Sequence, residues 1–188
     1  MSEISQIRKL SLWIFFLPLI AINVCLIISV NPEILENTIF EVDQIGRSGF
    51  SIPYLDGSLS ISRASRTFPQ YLIFKPAMII TGILLFFYWN NYNKLICNLR
   101  DTENFRYKFR LFGILSAIFL IIHSIFLGIK FDIQLYKLFR RLVLLLFIIF
   151  ELVAQGMLVY YLYNLKEKIL ERTNKKILIL KIILVSIL

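Results

Sequence analysis

The sequence predicts an all-α protein, a polytopic transmembrane helix bundle, on three observations. Of its 188 residues 58% are hydrophobic and only 18% charged, where soluble domains run at about half apolar and about a quarter charged. Mean hydropathy is +0.74. Most of the apolar residues fall in long blocks, so lipid rather than water is the solvent for the exterior. This composition excludes a disordered chain, a disulfide-rich scaffold and a coiled coil.

A bilayer core about 30 Å thick requires roughly 20 mostly apolar residues per helical span. Four segments meet that length: 10–30, 71–92, 111–129 and 142–163. A fifth, 177–188, has 12 residues and includes Lys181, too short to cross alone. It reads as a span that continues past this chain, in preference to a basic amphipathic helix lying at the interface.

Orientation follows from lysines and arginines near the span ends. A cytoplasmic N-terminus leaves twelve inside, chiefly in the 94–110 and 166–176 clusters, and eight outside. The loop 31–70 supports that choice, with Glu33, Glu36, Glu41, Asp43 and Asp56 against three arginines. The expected location is a bacterial inner membrane or a eukaryotic endomembrane. The first span is read as retained, since its 21 residues exceed a signal-peptide core and no small-x-small site follows. Cys25 and Cys97 are expected at different depths, which implies no disulfide. Trp13, Tyr88, Trp89, Tyr92, Tyr160, Tyr161 and Tyr163 have the placement of interfacial anchors.

Within the spans, Gly113, Ala117, Ser124 and Gly128 fall on one face of the third helix, a stripe of small residues that lets a neighbouring backbone approach in lipid. Glu151 is the most informative intramembrane residue, because a carboxylate near the midplane costs several kcal/mol unless neutral, paired or wet. Gln155 lies one turn further on the same face. Ser116 and His123, the chain's only histidine, flank the small stripe. Two alternatives stand for the site. Either His123 and Glu151 meet across the third and fourth helices as a catalytic or proton-handling pair, or Glu151 is protonated and bonded to Gln155 or a backbone carbonyl. A lone histidine with one carboxylate does not make a metal site, and no cofactor is expected.

The first extracytoplasmic loop, about 40 residues long, is expected to be ordered and functional. Its last part places Ser58, Ser60, Ser62, Arg63 and Arg66 just before the second span. Hydroxyls and guanidinium groups at headgroup depth suit lipid phosphate, and a solvated serine-rich turn is the alternative. Membrane lipids are the expected partners; the net charge of +9 requires no nucleic acid, and a homo-oligomer or protein partner is left open.

The stretch 57–92 also carries a resemblance. Its serine-rich run, then Phe68-Pro69-Gln70-Tyr71, a basic residue at Lys75 and an apolar span ending Tyr88-Trp89-Asn90-Asn91-Tyr92 resemble the GPI-anchor lipid-remodelling family, which includes post-GPI-attachment factor two, the N-terminal region of the fungal cell-wall-hypersensitive protein and damage-regulated autophagy modulators. The resemblance implies a long lumenal first loop with a Ser-x-Ser motif, for which Ser58, Ser60 or Ser62 are the counterparts, and a role in remodelling or recognising a glycolipid or GPI-type lipid. The glycine that follows the serine motif in the family is absent here, and Arg63 and Arg66 occupy its neighbourhood. The alternatives from other classes are a small transporter or proton-relay protein using Glu151 and His123, and a noncatalytic membrane scaffold.

Overall fold

The computed structural model describes residues 3–40, 52, 61–100, 107–129 and 134–165, with a few helical positions between 176 and 185. Most of loop 41–60 and most of the fifth apolar segment therefore lie outside the described residues. Among the described residues there is no strand. Four long helices dominate: α1 (Glu3–Val30), α2 (Tyr71–Arg100), α3 (Lys108–Phe126) and α4 (Gln134–Asn164). Each is long and apolar enough to cross a membrane.

All four helices begin at or before the predicted apolar blocks, and α2 runs eight residues past Tyr92 to Arg100. The reason is physical: lipid cannot satisfy backbone N–H and C=O groups, so the helical ladder continues through the polar flanks until water reaches it. Helix α3 has 19 residues and α4 has 31, which at about 1.5 Å per residue makes α3 barely one bilayer core long and leaves the others to tilt or protrude. Both ends of α3 therefore lie near interfaces. It stops at Phe126 because Leu127 turns extended and Gly128 adopts φ +84°, a left-handed conformation that a glycine takes without Cβ strain.

The helices pack in chain order, α1 on α2, α2 on α3 and α3 on α4. Hydrogen bonds fix the antiparallel registers. Asn98 Nδ2 donates to Glu3 Oε1 at 2.7 Å, joining the end of α2 to the start of α1. Arg110 Nε donates to Asn90 Oδ1 at 2.7 Å, and the Tyr107 backbone N–H to Asn93 Oδ1 at 3.1 Å, joining α2 to the start of α3. At the opposite end the Tyr136 hydroxyl donates to Phe126 O at 2.6 Å, joining α3 to α4.

Two apolar clusters follow one another along the bundle. The one at the end that carries the N-terminus gathers Ile7, Trp89, Ile96, Phe109, Leu158 and Leu162 from all four helices. The other joins Cys25, Phe74, Met78, Leu85, Leu120 and Leu127. The small stripe of α3 lies in the α2–α3 contact as expected: Gly113, Ala117 and Ser124 are buried. A Cβ on Gly113 would fall 2.2 Å from the Trp89 ring, and a Cβ on Gly82 would fall 2.5 Å from Ile121 and 3.2 Å from Ala117 O. The two helices thus notch into each other, glycine against large side chain in both directions.

Tyr88 and Trp89 depart from the anchor role that the sequence implied. Trp89 is 0% and Tyr88 8% exposed. Because α2 extends to Arg100, these residues sit well inside the helix, and the Gly113 notch receives the indole. Trp13, Tyr160 and Tyr163 do face outward. Cys25 and Cys97 are free, buried thiols on different helices.

Gly113→Ala is expected to destabilise the bundle by about 1–3 kcal/mol, the usual range for overpacking a closed contact. Gly156→Ala is its control, because nothing lies within 4 Å of a Cβ there. Thermal unfolding read by thiol labelling of Cys25 and Cys97 measures both; equal midpoints for the two variants would contradict the notch.

Candidate functional site: a basic cavity at the loop end of the bundle

Glu151 lies opposite Ser116. The Ser116 hydroxyl is 2.6 Å from Glu151 Oε2 and 2.8 Å from Gly113 O, and Gln155 Nε2 donates to Glu151 Oε1 at 2.9 Å. Further hydrogen bonds link the Tyr88 hydroxyl to Gln155 and Tyr92. The polar groups of three helices are thereby tied into one cluster near the middle of the bundle, where lipid offers them no alternative partner. Ser116 has one hydroxyl proton and two acceptors within reach, Gly113 O and Glu151 Oε2.

The His123–Glu151 pairing is not formed; of the two alternatives for Glu151, the bond to Gln155 is the one observed. Ser116 marks the level of Glu151 on α3, and His123 is seven residues further along, about 10 Å at 1.5 Å per residue. It occupies the last turn of α3, next to an interface. The shortness of α3 brings His123 to the loop end of the span.

His123 instead lines a cavity of about 730 Å³ at the loop end of the bundle. Arg66, from the segment just before α2, lines it from one side, and Lys137, Arg140 and Arg141 of α4 from another. Phe74, Leu127 and Leu144 supply apolar wall, and Ser65, 2% exposed, lies on the same lining. The volume is in the range of pockets that hold a small organic ligand, about 300–1,000 Å³.

Local sequence explains each position. Thr67 Oγ1 donates to Ala64 O at 3.0 Å and the Tyr71 N–H to Thr67 O at 3.0 Å, so the one-turn helix Ile61–Ala64 leads straight into α2 and holds Arg66 at the bundle rim. Gly128 packs against this segment, near Arg66 O and Lys75 Cε, and its left-handed φ of +84° is what calls for glycine there. On α4, positions 137, 140, 141 and 144 are spaced i, i+3, i+4, i+7 and share one face. Arg140 stacks over Tyr136, 5.8 Å from its centroid, and Tyr136 is anchored to Phe126 O.

Electrostatically the cavity is cationic. Burial and then the charge of Arg140 pull the Arg66 guanidinium below its ordinary value. Two polar atoms at the cavity, His123 Nδ1 and Arg140 Nε, are buried without a hydrogen-bond partner. A buried guanidinium N–H without an acceptor is the group that an anionic oxygen would satisfy. Among the described residues lining the cavity there is no carboxylate, and among the described residues no three His, Cys, Asp or Glu side chains gather as a metal site would need.

Of the residues singled out from sequence, the structure brings Arg66 and His123 to one cavity, and Ser116, Glu151 and Gln155 to a separate cluster. Ser58, Ser60 and the side chains of Ser62 and Arg63 lie outside the described residues. Sequence reasoning missed Lys137, Arg140 and Arg141 as site residues. Their i, i+3, i+4 spacing is the signal the sequence carries for them.

Fold and site together define a multi-pass integral membrane protein with an amphipathic, cationic cavity at one end. Compared with family models, with curated proteins and with solved structures, the chain matches none.

Glu151→Gln is expected to keep the bundle's stability, because the amide donates to Ser116 and accepts from Gln155. Glu151→Leu is expected to lose about 1 kcal/mol, the scale of hydrogen bonds between membrane helices. Thermal unfolding midpoints decide: a glutamine variant as weak as the leucine variant would sink the hydrogen-bond reading of the cluster.

Proposed function

We propose that the protein handles lipid, and that the basic cavity holds the headgroup at the extracytoplasmic face, with the N-terminus in the cytoplasm. One observation carries this reading. The same cavity combines four cationic side chains with an apolar wall formed by Phe74, Leu127 and Leu144. A free inorganic anion has no use for the apolar wall, and an acyl chain has none for the guanidinium groups; a phosphate-bearing lipid uses both. Arg66 belongs to the serine/arginine segment from which headgroup binding was expected.

Glycolipid or GPI-type remodelling is the more specific form of this reading. Acyl or headgroup transfer needs a nucleophile and a base, and Ser65 and His123 on the lining are of those types. The Glu151 cluster supports helix cohesion better than a proton relay, since Ser116, Gln155 and Tyr88 close it and Glu151 does not line the cavity.

Each basic side chain near a membrane surface contributes about 1 kcal/mol to binding anionic lipid. The double variant Arg140→Ala/Arg141→Ala is therefore expected to lower the enrichment of co-purifying anionic lipid over neutral lipid by about thirtyfold. Mass spectrometry of the protein in native nanodiscs measures it, with Glu151→Gln as the unaffected comparison. Identical lipid profiles for wild type and the double variant would overturn the proposal.

A further inference from the structure

Resting on the headgroup reading above, we infer that α4 carries a lateral lipid track: a long-chain anionic phospholipid enters the cavity sideways from the leaflet on the loop side, and its chain stays in the bilayer against Leu144 and Ile148. Helical geometry carries the inference. Residues 137, 140, 141, 144 and 148 stand at i, i+3, i+4, i+7 and i+11 of α4. At about 100° per residue they form one stripe roughly 100° wide. The stripe changes character along its length. Lys137, Arg140 and Arg141 come first, within about two turns of the helix start, and Leu144 and Ile148 follow inside the apolar block 142–163. The first four of these line the cavity, and Ile148 lies one turn beyond Leu144.

That order is the order of a leaflet read from its surface inward, polar headgroup first and hydrocarbon after. At about 1.5 Å per residue Leu144 lies about 5 Å deeper than Arg140 and Arg141, and Ile148 about 6 Å deeper again. Leu144 is 39% and Ile148 44% exposed, so on this side the cavity wall runs on into surface that faces lipid. The cationic part of the stripe is braced: Arg140 stacks on Tyr136, whose hydroxyl is tied to Phe126 O. A lipid bound here keeps its chain in hydrocarbon while its phosphate meets the basic side chains, so neither end leaves the medium that suits it. A soluble phosphate ester has no part that uses the stretch from Leu144 to Ile148.

The test reads where the lipid chain lies, using the purified full chain in phosphatidylcholine nanodiscs. Ile148→Trp puts a fluorophore on the track. Ile149→Trp is its control, because Ile149 is 43% exposed at the same depth but points about 100° away. Each variant is read against wild type, which removes the signal of Trp13 and Trp89. Phosphatidylglycerol with brominated chains is expected to quench Ile148→Trp at least about fivefold more strongly than the same fraction of brominated phosphatidylcholine, and Ile149→Trp equally with both. Equal quenching of Ile148→Trp by the two lipids would overturn the track. Native mass spectrometry of the same nanodiscs then separates the two readings: phosphatidylglycerol still enriched on the protein leaves headgroup binding intact, and no enrichment overturns both. Glycerol 3-phosphate is the aqueous competitor; displacement of phosphatidylglycerol by it at comparable concentration would assign the cavity to a soluble phosphate ester and overturn the lipid track. Wild-type protein crosslinked to phosphatidylglycerol with a photoreactive chain gives the answer without any variant. Adducts are expected at 144–148, and adducts spread evenly over the lipid-facing helices would overturn the inference.

Discussion

The close approach of α2 and α3 sets the register on which every other contact depends. In lipid there is no hydrophobic gain from pressing helices together, so association rests on fitting shapes and on the few polar bonds available. Trp89 filling the space over Gly113, and Ile121 filling the space over Gly82, make that fit reciprocal. With α3 seated there, Ser116 falls toward Glu151 and His123 toward Arg140. A shift of α3 by one residue would rotate both by about 100° and dissolve the polar cluster and the cavity together.

The two polar sites differ in what surrounds them, and that difference separates their chemistry. At mid-bundle, Glu151, Gln155, Ser116 and Tyr88 find one another, and the cluster is closed. At the loop end, cations find no carboxylate among the described residues that share their cavity. A closed set of hydrogen bonds holds helices in place; a cavity lined by basic and apolar side chains is suited to a ligand. The short α3 keeps them apart by ending its helix there, so His123 belongs with the arginines of the cavity and Glu151 with the helix glue.

Gly128 and the segment 61–70 connect the loop to the bundle. The left-handed turn at Gly128 ends α3 and sets it against the Arg66 backbone. Arg66 is thereby held across the cavity from α4, and the cationic wall is assembled from two stretches some 70 residues apart in the chain. The aromatic anchors Tyr136 and Phe126 do the same for Arg140 from the other side.

The membrane class, the four spans, the small stripe on α3 and the cost of a lone intramembrane carboxylate follow from sequence alone, because they depend on length, hydropathy and helical periodicity, which are local properties. Arg66 and His123 were legible as candidates from residue type and position. Their meeting in one cavity was decided by tertiary structure, because it depends on where α3 stops and on how α4 is rotated. The same holds for Glu151, whose partner became Ser116 once the Trp89–Gly113 contact set the axial register. Tyr88 and Trp89 show the limit most clearly: aromatic residues at the end of an apolar block have the composition of an interfacial belt, and only the extension of α2 and the glycine facing it turned them into core.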